Sequence, residues 1–344
     1  MRRPETQSFR LSDGRQQLNR GPFITRVEAI MEQTCLRCGA LNAEERRYCE
    51  RCLSILEPRT RYWLQVEDFQ TTADRDALGM VKSTWLLPHL LNQFFVRPRE
   101  RKQREILNSQ GTPATRFAKL AVLMQDCAYR LCLENLPSIY LIESHGSPNA
   151  FTFGSDDAPV IVIDSRLLPA MGTDELRCLL GHEMGHIKSK HLLYHSMAET
   201  LANGIGVSAS LMGANLISAP LRIALLAWQR ESEFSADRAA LITSGNPYQV
   251  ASMFAKLAGL STPPIQQRPS LLEDLVKLFR THSNMSERVK AVFSFSNTEE
   301  YARIIKKLND RTMLRGAFAP SCRFCGSSKP VAAVFCPACK RSLV

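Results

Sequence analysis

The six residues Gly181-His182-Glu183-Met184-Gly185-His186 constrain this chain more than any other stretch. Residues four apart lie just past one helical turn, so in a helix His182 and His186 project from one face. Two neutral imidazoles there grip one divalent metal, and softness and geometry favour zinc. Glu183, beside the first imidazole, reaches the water that such a metal activates and acts on it as general base. The local sequence agrees with a helix. Thr173 is its expected cap, Asp174 and Glu175 suit the positive end of the dipole, and Leu176, Leu179, Leu180 and Met184 recur at helical spacing. The bland alternative is a pair of surface histidines flanking a solvated glutamate.

A hydrolytic zinc site needs three protein ligands and one open position. A third His six residues past the second is absent, because position 192 is Leu. His191 and His195 fall out of register with His182 and His186 and read as structural or exposed. The run Arg230-Glu231-Ser232-Glu233-Phe234-Ser235-Ala236-Asp237 offers carboxylates instead. Glu233 and Asp237, four apart, share a face. Glu233 is the candidate ligand, and Asp237 would orient a ligand histidine through its free ring nitrogen. From residue types alone Glu231 stays open, and so does an ordinary charged helix face.

The eleven cysteines are organised rather than scattered. Cys35-x-x-Cys38 and Cys49-x-x-Cys52, ten residues apart, recur as Cys322-x-x-Cys325 and Cys336-x-x-Cys339 at the same spacing. Each set supplies four thiolates for a closed tetrahedral zinc site, with Gly39 and Gly326 where the knuckle turns tightly. Tyr48 and Phe335, each just before a third Cys, are expected to form the ribbon cores. Free thiolates imply a reducing compartment, and the N-terminal residues carry no apolar signal segment. The expected location is cytoplasmic or peripheral to a membrane. Cys127, Cys132 and Cys178 read as buried small apolar residues.

With 344 residues, 44% of them hydrophobic, the chain has room for one large domain plus small modules. Its net charge is +11, and the excess concentrates between Arg97 and Lys119, where seven basic residues meet two acidic ones. Gly and Pro punctuate Arg97–Thr115, which reads as a linker or exposed loop. A helix is expected from about Thr115 to Glu134, and strands at Ser138–Ile142 and Val160–Ile163. Between the strands, Pro148–Gly154 offers an edge that could hold an extended substrate by main-chain pairing. Leu201–Leu221 carries no formal charge and is long enough to span a bilayer, but its Gly, Asn, Ser and Pro residues make transfer unfavourable. It reads as a buried helical hairpin, with membrane contact as the alternative. Further helices are expected at Pro247–Gly259 and Ser270–Arg280.

These motifs together resemble the zinc peptidase family that includes the HtpX heat-shock protease and the CAAX prenyl protease. Four stretches carry the likeness in the family's order: Asn149-Ala150-Phe151, His182-Glu183-Met184-Gly185-His186, Glu233-Phe234-Ser235-Ala236-Asp237, and Thr281-His282 with Arg288. The resemblance covers roughly residues 115–295 and selects Glu233 over Glu231. It implies that His282 and Arg288 contact the substrate or the oxyanion, and that Asn149 and Ala150 line the cleft. Ser283 stands where the family usually has Pro, and no segment matches the clear membrane helices of HtpX-type members. The chain is similar instead to the soluble bacterial branch with added zinc ribbons.

The expected fold is α+β: a mostly helical, gluzincin-type metallopeptidase domain with a small β-sheet, flanked by two four-cysteine zinc ribbons. The divisions are a flexible basic arm (1–30), a ribbon (31–57), a helical and linker region (60–114), the metallopeptidase domain (115–312) and the second ribbon (318–344). The expected function is zinc-dependent endoproteolysis in protein quality control, with one catalytic zinc and two structural ones. A protein or peptide is the substrate, and the ribbons dock a partner protein. The rival is a ribbon adaptor that binds protein or nucleic acid around a dormant core. The first ribbon mixes Glu44 and Glu45 with Arg46 and Arg47 and lacks a basic-aromatic face for stacking on bases, so nucleic acid is not the expected partner. A second rival is a protease held at a membrane surface by Leu201–Leu221.

Overall fold

The computed structural model describes residues 32–43, 46–56, 62–83, 93, 96–144, 146–156, 158–202, 215–260 and 283–309. Its strands are β1 (Glu32–Thr34), β2 (Leu41–Ala43), β3 (Thr112–Pro113), β4 (Ser138–Ile142), β5 (Ala150–Ser155) and β6 (Ala158–Asp164). Its helices are α1 (Thr72–Ser83), α2 (Arg97–Gln110), α3 (Ala118–Arg130), α4 (Leu167–Ala170), α5 (Thr173–Lys188), α6 (Leu192–Ala202), α7 (Asn215–Ser244), α8 (Pro247–Leu257), α9 (Ser283–Ser296) and α10 (Glu299–Asn309). The fold is α+β and mostly helical, as the sequence implies. The arm, the C-terminal ribbon, the helix expected at 270–280, His282 and residues 203–214 of the uncharged run lie outside the described residues. Among the described residues no helix is long and apolar enough to cross a membrane.

One mixed sheet runs β3-β4-β6-β5, with β4 and β6 parallel and the outer pairs antiparallel. The β-branched run of β6 explains its inner place. Alternation sends Ile161 and Ile163 to the main core, and Val160 and Val162 to the opposite face. Strand β5 is left at the edge. The main core gathers α3, α5, α8 and α9 around one face of the sheet, and α5 is buried along nearly its whole length.

Three local expectations are corrected. The basic stretch from Arg97 is not a linker but helix α2. Pro98 falls in the first turn, where a missing N–H breaks no helical hydrogen bond, and the Arg, Lys, Glu, Gln and Leu that follow are good helix formers. Leu107 anchors α2 on the outer face of the sheet beside Phe153, and Arg104 donates to the Ala158 carbonyl at 2.7 Å. The charges are the solvated face of a packed helix. Tyr48 does not form a private ribbon core: it packs into the main core, and its hydroxyl donates to the Leu133 carbonyl at 3.0 Å. The ribbon is therefore docked, with Ile55 N–H donating to Glu134 O and Leu136 N–H to Leu53 O, each at 2.9 Å. Thr173 is already helical. Gly172 is the cap of α5, and the Glu175 carboxylate accepts from the Gly172 N–H at 2.7 Å.

Helices α5 and α7 approach unusually closely, because Gly181 and Gly185, one turn apart, face α7. A Cβ on Gly185 would sit 2.7 Å from Ala239 Cβ and 3.1 Å from Ala236 Cα, and one on Gly181 would sit 1.9 Å from Thr243 Oγ1. Gly185→Ala is expected to cost about 1–3 kcal/mol through overpacking. Guanidinium denaturation checks this, and an unchanged midpoint contradicts the close approach.

Candidate active site

Where α5 and α7 touch, the sequence places four chemical side chains across the seam. His182 Nε2 and His186 Nε2 stand 3.3 Å apart. From α7, Glu233 brings Oε2 to 3.4 Å from His182 Nε2 and Oε1 to 3.5 Å from His186 Nε2. One turn on, Asp237 Oδ1 lies 2.9 Å from His182 Nδ1. Zinc bonds of about 2.0–2.1 Å arranged tetrahedrally give ligand–ligand edges of about 3.3–3.4 Å. The donor set thus fits one such ion, with His182 donating from Nδ1–H to Asp237 and leaving Nε2 to face the other two ligands.

Arg288 of α9 closes the back of the group. Its Nε and Nη2 donate to the two oxygens of Asp237, both at 2.7 Å, and Nη1 lies 3.1 Å from Glu233 Oε2. The guanidinium also stacks over Phe254 at 4.6 Å. Burial would raise the Glu233 carboxyl, but Arg288 and the two histidines outweigh it and hold the group well below the usual range. Glu183 turns instead toward β5, where the Thr152 hydroxyl donates to Oε2 at 2.5 Å. Burial pushes the Glu183 carboxyl up.

A cleft of about 420 Å³ opens over these groups. Asn149, Ala150 and Thr152 form one wall, Leu179 and Met253 supply apolar lining, and His195 and Arg288 also face it. Thr152 escaped the sequence reading. The signal was present: two residues after Ala150 on an edge strand it must share that residue's face. Behind Asn149 the wall is tied down by β6. Asp164 N–H donates to the Asn149 carbonyl at 2.9 Å, while the Asp164 carboxylate accepts from Arg166 Nε at 2.9 Å and from Arg166 Nη2 at 2.7 Å.

In the N-terminal ribbon, Cys35, Cys38, Cys49 and Cys52 place their sulfurs within 4.8 Å of one another. The Cys35–Cys52 and Cys38–Cys49 Sγ distances are 3.5 and 3.6 Å. Gly39 has φ +73°, the left-handed turn expected of it. Four thiol sulfurs at this spacing suit a closed tetrahedral metal site.

The profile of peptidase family M48 matches residues 114–295, more than half of the chain. The chain belongs to peptidase family M48. The match makes it a zinc metallopeptidase, and His182, His186 and Glu233 are placed to hold a metal ion. It is 35% identical over 163 residues to a plastoglobule-localised metallopeptidase of Arabidopsis thaliana, covering 46% of each chain. It is 26% identical over 229 residues to a protease HtpX homologue of Ralstonia nicotianae, covering 56% of this chain and 79% of that one. An HtpX homologue of Sulfurihydrogenibium is 29% identical over 224 residues, with 53% and 73% covered. The chain thus spans about half the plastoglobule relative and about three quarters of the HtpX homologues. No solved structure matches.

The Asp164 lock yields a pH prediction. Hydrogen bonds from Arg166, and then from Ser144, outweigh burial and hold the Asp164 carboxyl well below its ordinary value. A carboxyl depressed on folding contributes stability that is complete above its unfolded pKa of about 3.9 and is lost as the pH falls further. Wild type should therefore lose stability more steeply than Asp164→Asn below about pH 4. Urea midpoints across that range provide the check, and parallel curves contradict it.

Proposed function

We propose that this metallopeptidase is a zinc-dependent endopeptidase that hydrolyses extended polypeptide, with His182, His186 and Glu233 holding the catalytic zinc. The convergence of two Nε2 atoms and one carboxylate at 3.3–3.5 Å carries the reading. Zinc held there supplies a Lewis acid that polarises the scissile carbonyl and lowers the pKa of water toward about 7.

The chain's own residues do the rest. The β5 edge, through Asn149–Thr152, binds the substrate backbone as an added strand and sets the scissile bond over the cleft. Glu183 takes the proton of the attacking water at its carboxylate and passes it to the leaving amine. Thr152 fixes the carboxylate oxygen Oε2 for that task. Asp237 orients His182. The nitrogens of Arg288 engage Asp237 and Glu233, so Arg288 braces the ligand Glu233 and the orienting Asp237, and His282 is the candidate donor to the oxyanion.

The two cysteine sets hold one structural zinc each, the ribbons recruit a partner or substrate protein, and the expected setting is quality control in a reducing, cytoplasmic space or at a membrane surface. A dormant adaptor core has no use for a buried Glu183 held by Thr152.

Glu183→Gln is expected to retain zinc and fold but to lose nearly all cleavage of an unfolded protein substrate such as casein. Robust residual proteolysis in a clean preparation overturns the assignment. Thr152→Val, which removes a hydrogen bond to a charged group worth about 1.5–3 kcal/mol, is expected to lower kcat roughly tenfold or more with zinc content unchanged.

A further inference from the structure

Asp237 braces only one of the two histidines; the other has a separate support, reached through the end of helix α5. Ser189 caps α5, and Lys190 takes a left-handed conformation with φ +57°. The closing hydrogen bonds run from Lys190 N–H to Ile187 O at 3.1 Å and from His191 N–H to His186 O at 3.0 Å. This is a Schellman closure, in which the second residue past the cap folds back on the residue three before it. That return contact is usually apolar. Here it is polar: His191 Nδ1 lies 3.1 Å from His186 Nδ1, with both rings buried.

The far side of His191 meets Asp74 of α1, whose Oδ2 is 3.1 Å from His191 Nε2. Both side chains are fully buried. Asp74 is fixed in turn by Trp228 Nε1–H at 2.8 Å, Ser235 Oγ–H at 2.6 Å and Gln70 Nε2–H at 3.1 Å. Trp228 stands edge-on to the His191 ring at 5.3 Å. Burial acts to raise the Asp74 carboxyl, but the contacts with His191, Ser235 and Gln70 outweigh it and keep it below the ordinary range. A buried carboxylate is expensive unless paired, and this one accepts from Trp228, Ser235 and Gln70 and lies beside His191 Nε2.

We propose that His191 and Asp74 are positioning residues of the metal centre, holding the His186 ring so that Nδ1–H donates to His191 and Nε2 is left for zinc. The inference rests on the assignment of His186 as a ligand. The protons are consistent along the chain: His186 donates to His191 Nδ1, and His191 keeps its proton on Nε2, facing Asp74. Asp74 lies outside the family's matched residues 114–295. Helix α1, ahead of the peptidase domain, is thus part of the metal site's support rather than a linker. Trp228 and Ser235 place α7, the helix of Glu233, on the same carboxylate.

The test is zinc affinity of the central site in the full-length chain, by competition with a chromogenic chelator. It compares wild type, His191→Leu, His191→Gln, Asp74→Asn and, as a reference for a destroyed site, His186→Ala. Loss of such an outer partner lowers metal affinity about 10–100-fold. His191→Leu and Asp74→Asn should fall in that range, with the circular dichroism of the zinc-stripped proteins unchanged. His191→Gln, which keeps an acceptor toward His186, should recover most of the affinity. Folded variants within threefold of wild type overturn the proposal, as does a His191→Gln protein no better than His191→Leu. If His191→Leu does not fold, Asp74→Asn and His191→Gln decide by the same limits. A wild type no tighter than His186→Ala at the central site overturns the ligand assignment itself, a separate and recognisable failure.

Discussion

Two glycines on α5 let that helix and α7 touch, and the chemistry of the molecule depends on this contact. Only at that separation do Glu233 and Asp237 reach the histidines from the opposite helix. The seam gathers Glu183, Glu233 and Asp237 against a single guanidinium, Arg288, in a place largely removed from water. Two carboxylates, Glu233 and Asp237, share one guanidinium there, and a divalent cation bound to neutral imidazoles offsets the remaining charge. Donor spacing and charge therefore point to the same occupant.

The other elements hold that seam and leave an edge strand beside it. The buried inner strand β6 fixes β5 as an edge, and Asp164 ties the strand's entry at Asn149 to β6. The ribbon is joined to the peptidase core through Tyr48 and through main-chain bonds to residues 134–136, so its orientation relative to the core is fixed. Helix α2 covers the far face of the sheet. Helix α1 meets His191, the neighbour of His186, through Asp74.

What could be read in the sequence was whatever obeys a local period. His182, Glu183 and His186 follow from helical spacing, Gly39 from the knuckle turn, and β4 and β6 from β-branched runs. The choice of Glu233 over Glu231 needed the family resemblance, because two carboxylates two residues apart look alike until the partner helix is in place. His191 is out of register with His182 and His186 by helical spacing. It lies beyond the helix cap, where a left-handed Lys190 returns it to His186, and no periodicity describes that path. Asp74, more than a hundred residues earlier, is linked to the site only by tertiary packing. Tyr48 and α2 differ from their sequence expectation for a related reason: a docking aromatic and the solvated face of a packed helix resemble a private core and a charged linker when their neighbours are unknown.

The most direct measurement is zinc per chain by metal analysis, on wild type and on His186→Ala. Three zincs falling to two is the expected result, with both ribbons closed and the central site emptied by one missing imidazole. Two zincs in both proteins would contradict the account, because the seam between α5 and α7 would then hold no metal for Glu183 to work beside.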